Sequence, residues 1–117
     1  RLGTKILKHK IKIRANILSH SIPSEQIPDI DIVINHCVDC RNHFVHGSRG
    51  KFDYINNFDM VIFFINTLEF IYGVSELIEC GWKFDSWLIK HPMNHPFFMY
   101  IQSYKKHLID LKDLIKK

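Results

Sequence analysis

Residues 29 to 47 read DIDIVINHCVDCRNHFVHG. Two readings compete for this stretch. As a metal knuckle, Cys37, Cys40, His43 and His46 would supply four ligands at steps of three residues, and Cys-x-x-Cys is a familiar zinc half-site. As a helix, Ile30, Val33, Ile34, Cys37 and Phe44 form an inward apolar row, Asp29 is the N-cap candidate, and Gly47 is a natural stop. The two readings exclude each other. On a helix each three-residue step turns about 300°, so over three steps the four side chains drift roughly 180° and climb about 13 Å. They cannot then meet one ion at ligand distances of about 2.0 to 2.3 Å. The apolar run DIDIVIN continues in helical period straight into Cys37, so the helix is preferred from Ile30 to about Val45, with no metal and no cofactor expected.

Outward from this segment the chain keeps the same character. Ile6, Leu7, Ile11, Ile17 and Leu18 predict a first helix over Thr4 to His20, whose other faces carry Lys5, Lys8, Lys10, Lys12 and Arg14. SIPSEQIPD breaks it at Pro23 and Pro28. After the connection GSRGKFDYIN, a long apolar helix is expected from about Asn56 to Glu79. Gly73 inside it costs stability unless a neighbour packs closely there. Cys80-Gly81 ends this helix, and KFDSWLIKHP suggests a short one before Pro92. Phe97, Ile101, Tyr104, Leu108, Leu111 and Ile115 mark a last helix that starts at Asn94 to Pro96. The aromatic residues Phe63, Phe64, Phe70, Tyr72, Trp82, Phe84 and Trp87 read as core packing or a dimer seam, and His91 and His95 as loop histidines. The expected fold is all-α, a four-to-five-helix up-and-down bundle.

At 117 residues and 46 % hydrophobic content the chain fits one domain, residues 1–117, with one core. Because it begins at Arg1, it is expected to belong to a longer protein with additional chain N-terminal to Arg1. No run of about 18 uncharged apolar residues is present, so no membrane span is expected. Three cysteines make a poor disulfide framework and suit a reducing cytoplasm. The net charge of +4 is compatible with a polyanionic partner. The sequence GSRGK is not a phosphate loop: only two residues separate its glycines, and Phe52 follows Lys51.

Arg41, Asn42 and His46 fall in the last turns of the second helix, and Asn42 and His46, four apart, share a face. A planar phosphate-binding cation, an amide and an imidazole are groups that metal-free RNA cleavage uses. The substrate's own 2′-hydroxyl is the nucleophile. The protein need add only a base, an acid and positive charge. Acid and base roles call for two groups, which a two-fold dimer supplies by setting two Arg-Asn-His sets across one cleft. Arg49 and Lys51 lie beside the trio and could hold RNA phosphates, as could the lysines of the first helix.

RNHFVH, running Arg41-Asn42-x-x-x-His46, resembles the R-x(4–6)-H signature of HEPN domains. The wider VDCRNHFVHG followed by a long apolar helix is similar to the Apea-like HEPN branch found in phage-defence proteins. The resemblance implies a homodimeric, metal-independent, cytoplasmic endoribonuclease domain of a toxin, abortive-infection or antiviral system. It makes Arg41 and His46 catalytic and Asn42 supporting, and does not extend to His43. The rival expectation is a non-catalytic helical module that binds a partner protein or a nucleotide. A third is a zinc-binding helical domain.

Overall fold

The computed structural model describes residues 2–90 and 95–116, with side chains from Lys5 onward. The expectations at Arg1, His91, Pro92 and Asn94 lie outside the described residues. Five helices follow in order: α1 (Leu2–Ser19), α2 (Ile30–His46), α3 (Phe58–Glu79), α4 (Phe84–Ile89) and α5 (Pro96–Lys116), with no strand among the described residues. The fold is the all-α bundle expected from the periodicity.

α3 is the centre and packs on α1, α2 and α5. It is long and apolar enough to cross a membrane by length and composition, with a mean hydropathy of 1.6. Here it serves as the central core helix, which passes the same test. Met60, Phe63, Phe64, Phe70, Ile71 and Val74 are buried around it. Its two buried hydroxyls are both satisfied. Thr67 Oγ1 donates to Phe63 O and lies 2.8 Å from the Tyr100 hydroxyl of α5. Ser75 Oγ donates to Tyr72 O and accepts from Arg14 Nε of α1 at 2.9 Å, while Arg14 Nη2 pairs with Glu79 at 2.8 Å. Arg14 thus pins α1 to the last turn of α3.

α5 lies antiparallel to α3. Phe63 meets Tyr104 and His107, whereas Phe70, two turns further along α3, meets Tyr100 and Phe97. Gly73 lets Phe97 approach closely, since a Cβ at that position would stand 2.7 Å from Phe97 Cζ and the ring would have to shift. The close approach anticipated for this glycine is therefore made by α5.

Several local expectations need correction. Asp29 does occupy the N-cap position of α2, but its side chain makes no cap hydrogen bond. It adopts φ 55°, a left-handed conformation that Asp tolerates better than most residues, and its carboxylate pairs with Lys112 of α5 at 2.6 Å. Phe44 is not core: it is 50 % exposed, with its ring 5.9 Å from that of Tyr54. Ile6 is 47 % exposed, although Ile11 and Leu18 of the same predicted row are buried. Of the aromatic residues read as core, Phe63, Phe64, Phe70 and Phe84 are buried, Trp82 and Trp87 are partly buried against them, and Tyr72 is exposed.

Candidate functional site at the end of the second helix

α2 ends where the sequence places a glycine. Gly47 has φ 69° and donates its N–H to His43 O at 3.1 Å, and Ser48 N–H donates to Asn42 O at 3.3 Å. A left-handed residue closes the helix by turning these donors back onto its last carbonyls. His43 reinforces the turn. Its Nδ1 lies 2.8 Å from Ser48 O, and since a carbonyl can only accept, Nδ1 carries the proton. In a neutral ring, Nε2 then holds the lone pair. The imidazole also contacts Phe44 and Tyr54, each with ring centroids 5.0 Å away.

The connection after Gly47 folds back over α2. Tyr54 is buried and takes a hydrogen bond from Lys51 N–H at 3.4 Å. Gly50 permits this closure, since a Cβ there would meet Tyr54 Cε2 at 2.7 Å and Phe52 O at 3.2 Å. Asp53 organises the run into α3: its Oδ1 accepts from Ile55 N–H and Asn56 N–H at 3.0 and 3.1 Å, and these bonds with the Asn56 amide hold its carboxyl below the usual range. Phe52 approaches the ring of His36, which also stacks on Phe64 at 6.5 Å. Burial lowers the His36 pKa, Asp39 opposes this, and the Lys51 ammonium adds to it.

On this frame the predicted site residues separate by role. Asn42 is buried, 7 % exposed, whereas Arg41 and His46 are both exposed. Asn42 is therefore the anchored member of the trio. Arg49 and Lys51 are exposed on the connection. The five-residue step from Arg41 to His46 leaves their starting directions about 140° apart and about 7.5 Å displaced along the axis. Two clefts among the described residues lie elsewhere: one of about 690 Å³ between α3 and α5 is lined by residues such as Phe63, Tyr100 and His107, and one of about 460 Å³ lies around Asn57 and Asp110. A single copy thus presents Arg41 and His46 as exposed side chains at a helix end.

The cysteines of the zinc reading behave as core. Cys37 is buried and its thiol donates to Phe64 O at 3.6 Å; burial pushes its pKa strongly upward and that of Cys40 up to about 11. Among the described residues, no three His, Cys, Asp or Glu side chains gather as a metal set.

The Apea-like HEPN family model matches residues 1–86, from α1 into α4 and across the whole Arg-Asn-His segment. The chain belongs to the Apea-like HEPN family. No curated protein and no solved structure matches it. α5 lies beyond the matched part, yet it completes the HEPN core through Tyr100, Tyr104 and Leu108. Two features around the site were not read from the sequence: the bond from His43 to Ser48 O and the packing of Tyr54 under the helix end. The available signal for the second was the pair of aromatic residues Phe52 and Tyr54 inside a largely polar connection.

Proposed function

We propose that this HEPN domain is a metal-independent endoribonuclease. Arg41 holds and neutralises the scissile phosphate, His46 exchanges a proton with the attacking or departing oxygen, and buried Asn42 fixes the geometry of the pair. The 2′-hydroxyl of the substrate loses its proton to a base and attacks the adjacent phosphorus. The bond to the 5′-oxygen breaks, that oxygen takes a proton from an acid, and the products carry a cyclic 2′,3′-phosphate and a free 5′-hydroxyl. The guanidinium offsets charge that builds on the phosphoryl oxygens in the transition state.

The observation that carries this reading is the family's Arg-Asn-His pattern on one helix end, with Arg41 and His46 exposed and Asn42 buried. The functional unit is a homodimer. Two helix ends related by a two-fold axis would form a shared cleft and bring a second imidazole to the acid–base pair. Phe44 and Val45, 50 % and 59 % exposed beside Arg41, supply apolar surface for that contact. Arg49 and Lys51 hold flanking phosphates. The activity fits a cytoplasmic toxin, abortive-infection or phage-defence protein that acts on RNA. The exposed helix end also suits the rival reading, a non-catalytic module for a partner protein or nucleotide.

Incubation with single-stranded RNA in EDTA separates the two. Cleavage to cyclic-phosphate ends is expected, and Arg41→Ala or His46→Ala should lower the rate about 10²- to 10⁴-fold with an unchanged melting temperature. If both variants cut at the parental rate, Arg41 and His46 are not the site. If the parent does not cut at all, the module reading replaces the enzyme.

A further inference from the structure

Two exposed apolar rows remain that neither the core nor the Arg-Asn-His end uses. On α3, Phe58, Ile62, Ile65 and Tyr72 are 52, 45, 50 and 38 % exposed, and Glu69 and Glu76 complete a row with steps of four and three residues. On α1, Ile6, Lys10 and Ile13 repeat the same steps, and the two isoleucines are 47 and 50 % exposed. Rows at these steps form one face of a helix and are the pattern by which helices pack on each other. The solvent side of a bundle helix is otherwise polar.

The rows lie on the same side of the molecule. Arg14 is the α1 residue that reaches Ser75 and Glu79 of α3. Lys10, Ile6 and Ile13 sit about 40°, 80° and 100° from Arg14 around α1. They turn away from buried Ile11, Ala15 and Leu18. Tyr72, Ile65 and Glu76 sit about 60°, 80° and 100° from Ser75 around α3. They turn away from buried Met60, Phe64 and Ile71. Since α2 packs on both helices from within, the rows make one outward face of the α1–α3 pair.

Charge selects the occupant. On the face itself the α1 row carries Lys10 and the α3 row carries Glu69 and Glu76, whereas Lys5, Lys8 and Lys12 fall on other sides of α1 and Arg14 is already paired with Glu79. A two-fold axis along the helices lays α1 of each copy on α3 of the other, basic on acidic, twice. An axis across the helices would set the α1 row with Lys10 on its own copy and the α3 row with Glu69 and Glu76 on its own copy, like charge on like, which disfavours that alternative. We propose that this α1–α3 face is a self-association surface for a second copy of the chain, separate from the contact at the end of α2. Because Arg14 stands level with Ser75 and Glu79, such an axis brings the α1 row opposite Tyr72 and Glu76 of the second copy.

Association is read by sedimentation equilibrium of the protein in a Phe44→Glu background, which removes the apolar contact at the α2 end and leaves this face intact. Two copies are expected. Lys10→Glu and Glu76→Lys should each weaken association about tenfold or more, and the two together should restore it. A single copy in the Phe44→Glu background, charge variants that associate as their parent does, or a double variant no better than either single change overturns the proposal. So does capture by phosphatidylcholine vesicles that Ile13→Asp abolishes, since the rows would then face lipid. RNA cleavage reports on Arg41 and His46 independently, so either proposal can fail alone.

Discussion

Replacing Thr67 by Val tests the α3–α5 joint on which the core depends. The single Thr67 hydroxyl proton goes to Phe63 O, so the Tyr100 hydroxyl must donate the 2.8 Å bond between them. Tyr100 is well placed as a donor, because burial raises its pKa well above the ordinary phenol value and keeps the proton on. Both groups are sealed from water: Thr67 is 0 % and Tyr100 6 % exposed. Thr67→Val therefore strands a buried hydroxyl, at a cost of about 1–3 kcal/mol, whereas Tyr100→Phe leaves Thr67 bonded to Phe63 O and costs only about 0.5–1.5 kcal/mol. With both changed, nothing polar is left unpaired, so the double variant should be about 1 kcal/mol more stable than the sum of the singles implies. Urea unfolding followed by helical circular dichroism gives the four stabilities, and a common denaturant slope validates the comparison. Strict additivity, or a Thr67→Val variant as stable as the parent, would refute the reasoning.

Three further outcomes are expected. Gly47→Ala should cost about 1–2 kcal/mol from its left-handed backbone alone, with Gly47→Asn milder, because a Cβ there meets nothing within 4 Å; equal melting temperatures for Gly and Ala would contradict this. Gly73→Ala should fall short of the about 1 kcal/mol that helix propensity offers while Phe97 is present and recover it in a Phe97→Ala background, and equal effects in the two backgrounds would remove the claimed contact. His36 titrates below its ordinary value in the fold, so the unfolded chain binds the proton first as pH falls. Its contribution is complete above the unfolded pKa of about 6.5 and declines as pH drops from there toward the folded pKa. Melting curves across that window should flatten in His36→Gln; an undiminished slope would assign the pH dependence to another group.

The fold class was legible because helical period is a local property. The row from Ile30 to Cys37 and the row from Phe97 to Leu111 each needed only their own neighbours to be read, and both helices form where the period runs. Gly47 likewise declared the end of α2, since a left-handed φ is a requirement on one residue. What stayed hidden involved partners distant in sequence. Asp29 reads as a cap until Lys112, 83 positions on, takes its carboxylate. Phe44 reads as core from its place in the row, yet half of it faces solvent beside Tyr54 of the following connection.

The same division holds at the candidate site. The residue types of the Arg-Asn-His trio and their place at a helix end came from the sequence, because spacing along one helix sets rotation and rise. Tertiary structure alone decided that Asn42 is buried while Arg41 and His46 stay in solvent. Likewise, the apolar rows of α1 and α3 could be counted along the chain. Only the packing of Arg14 against Ser75 and Glu79 turned them to one side. Burial depends on the whole set of neighbours that compete for each surface, and a local pattern carries no record of them.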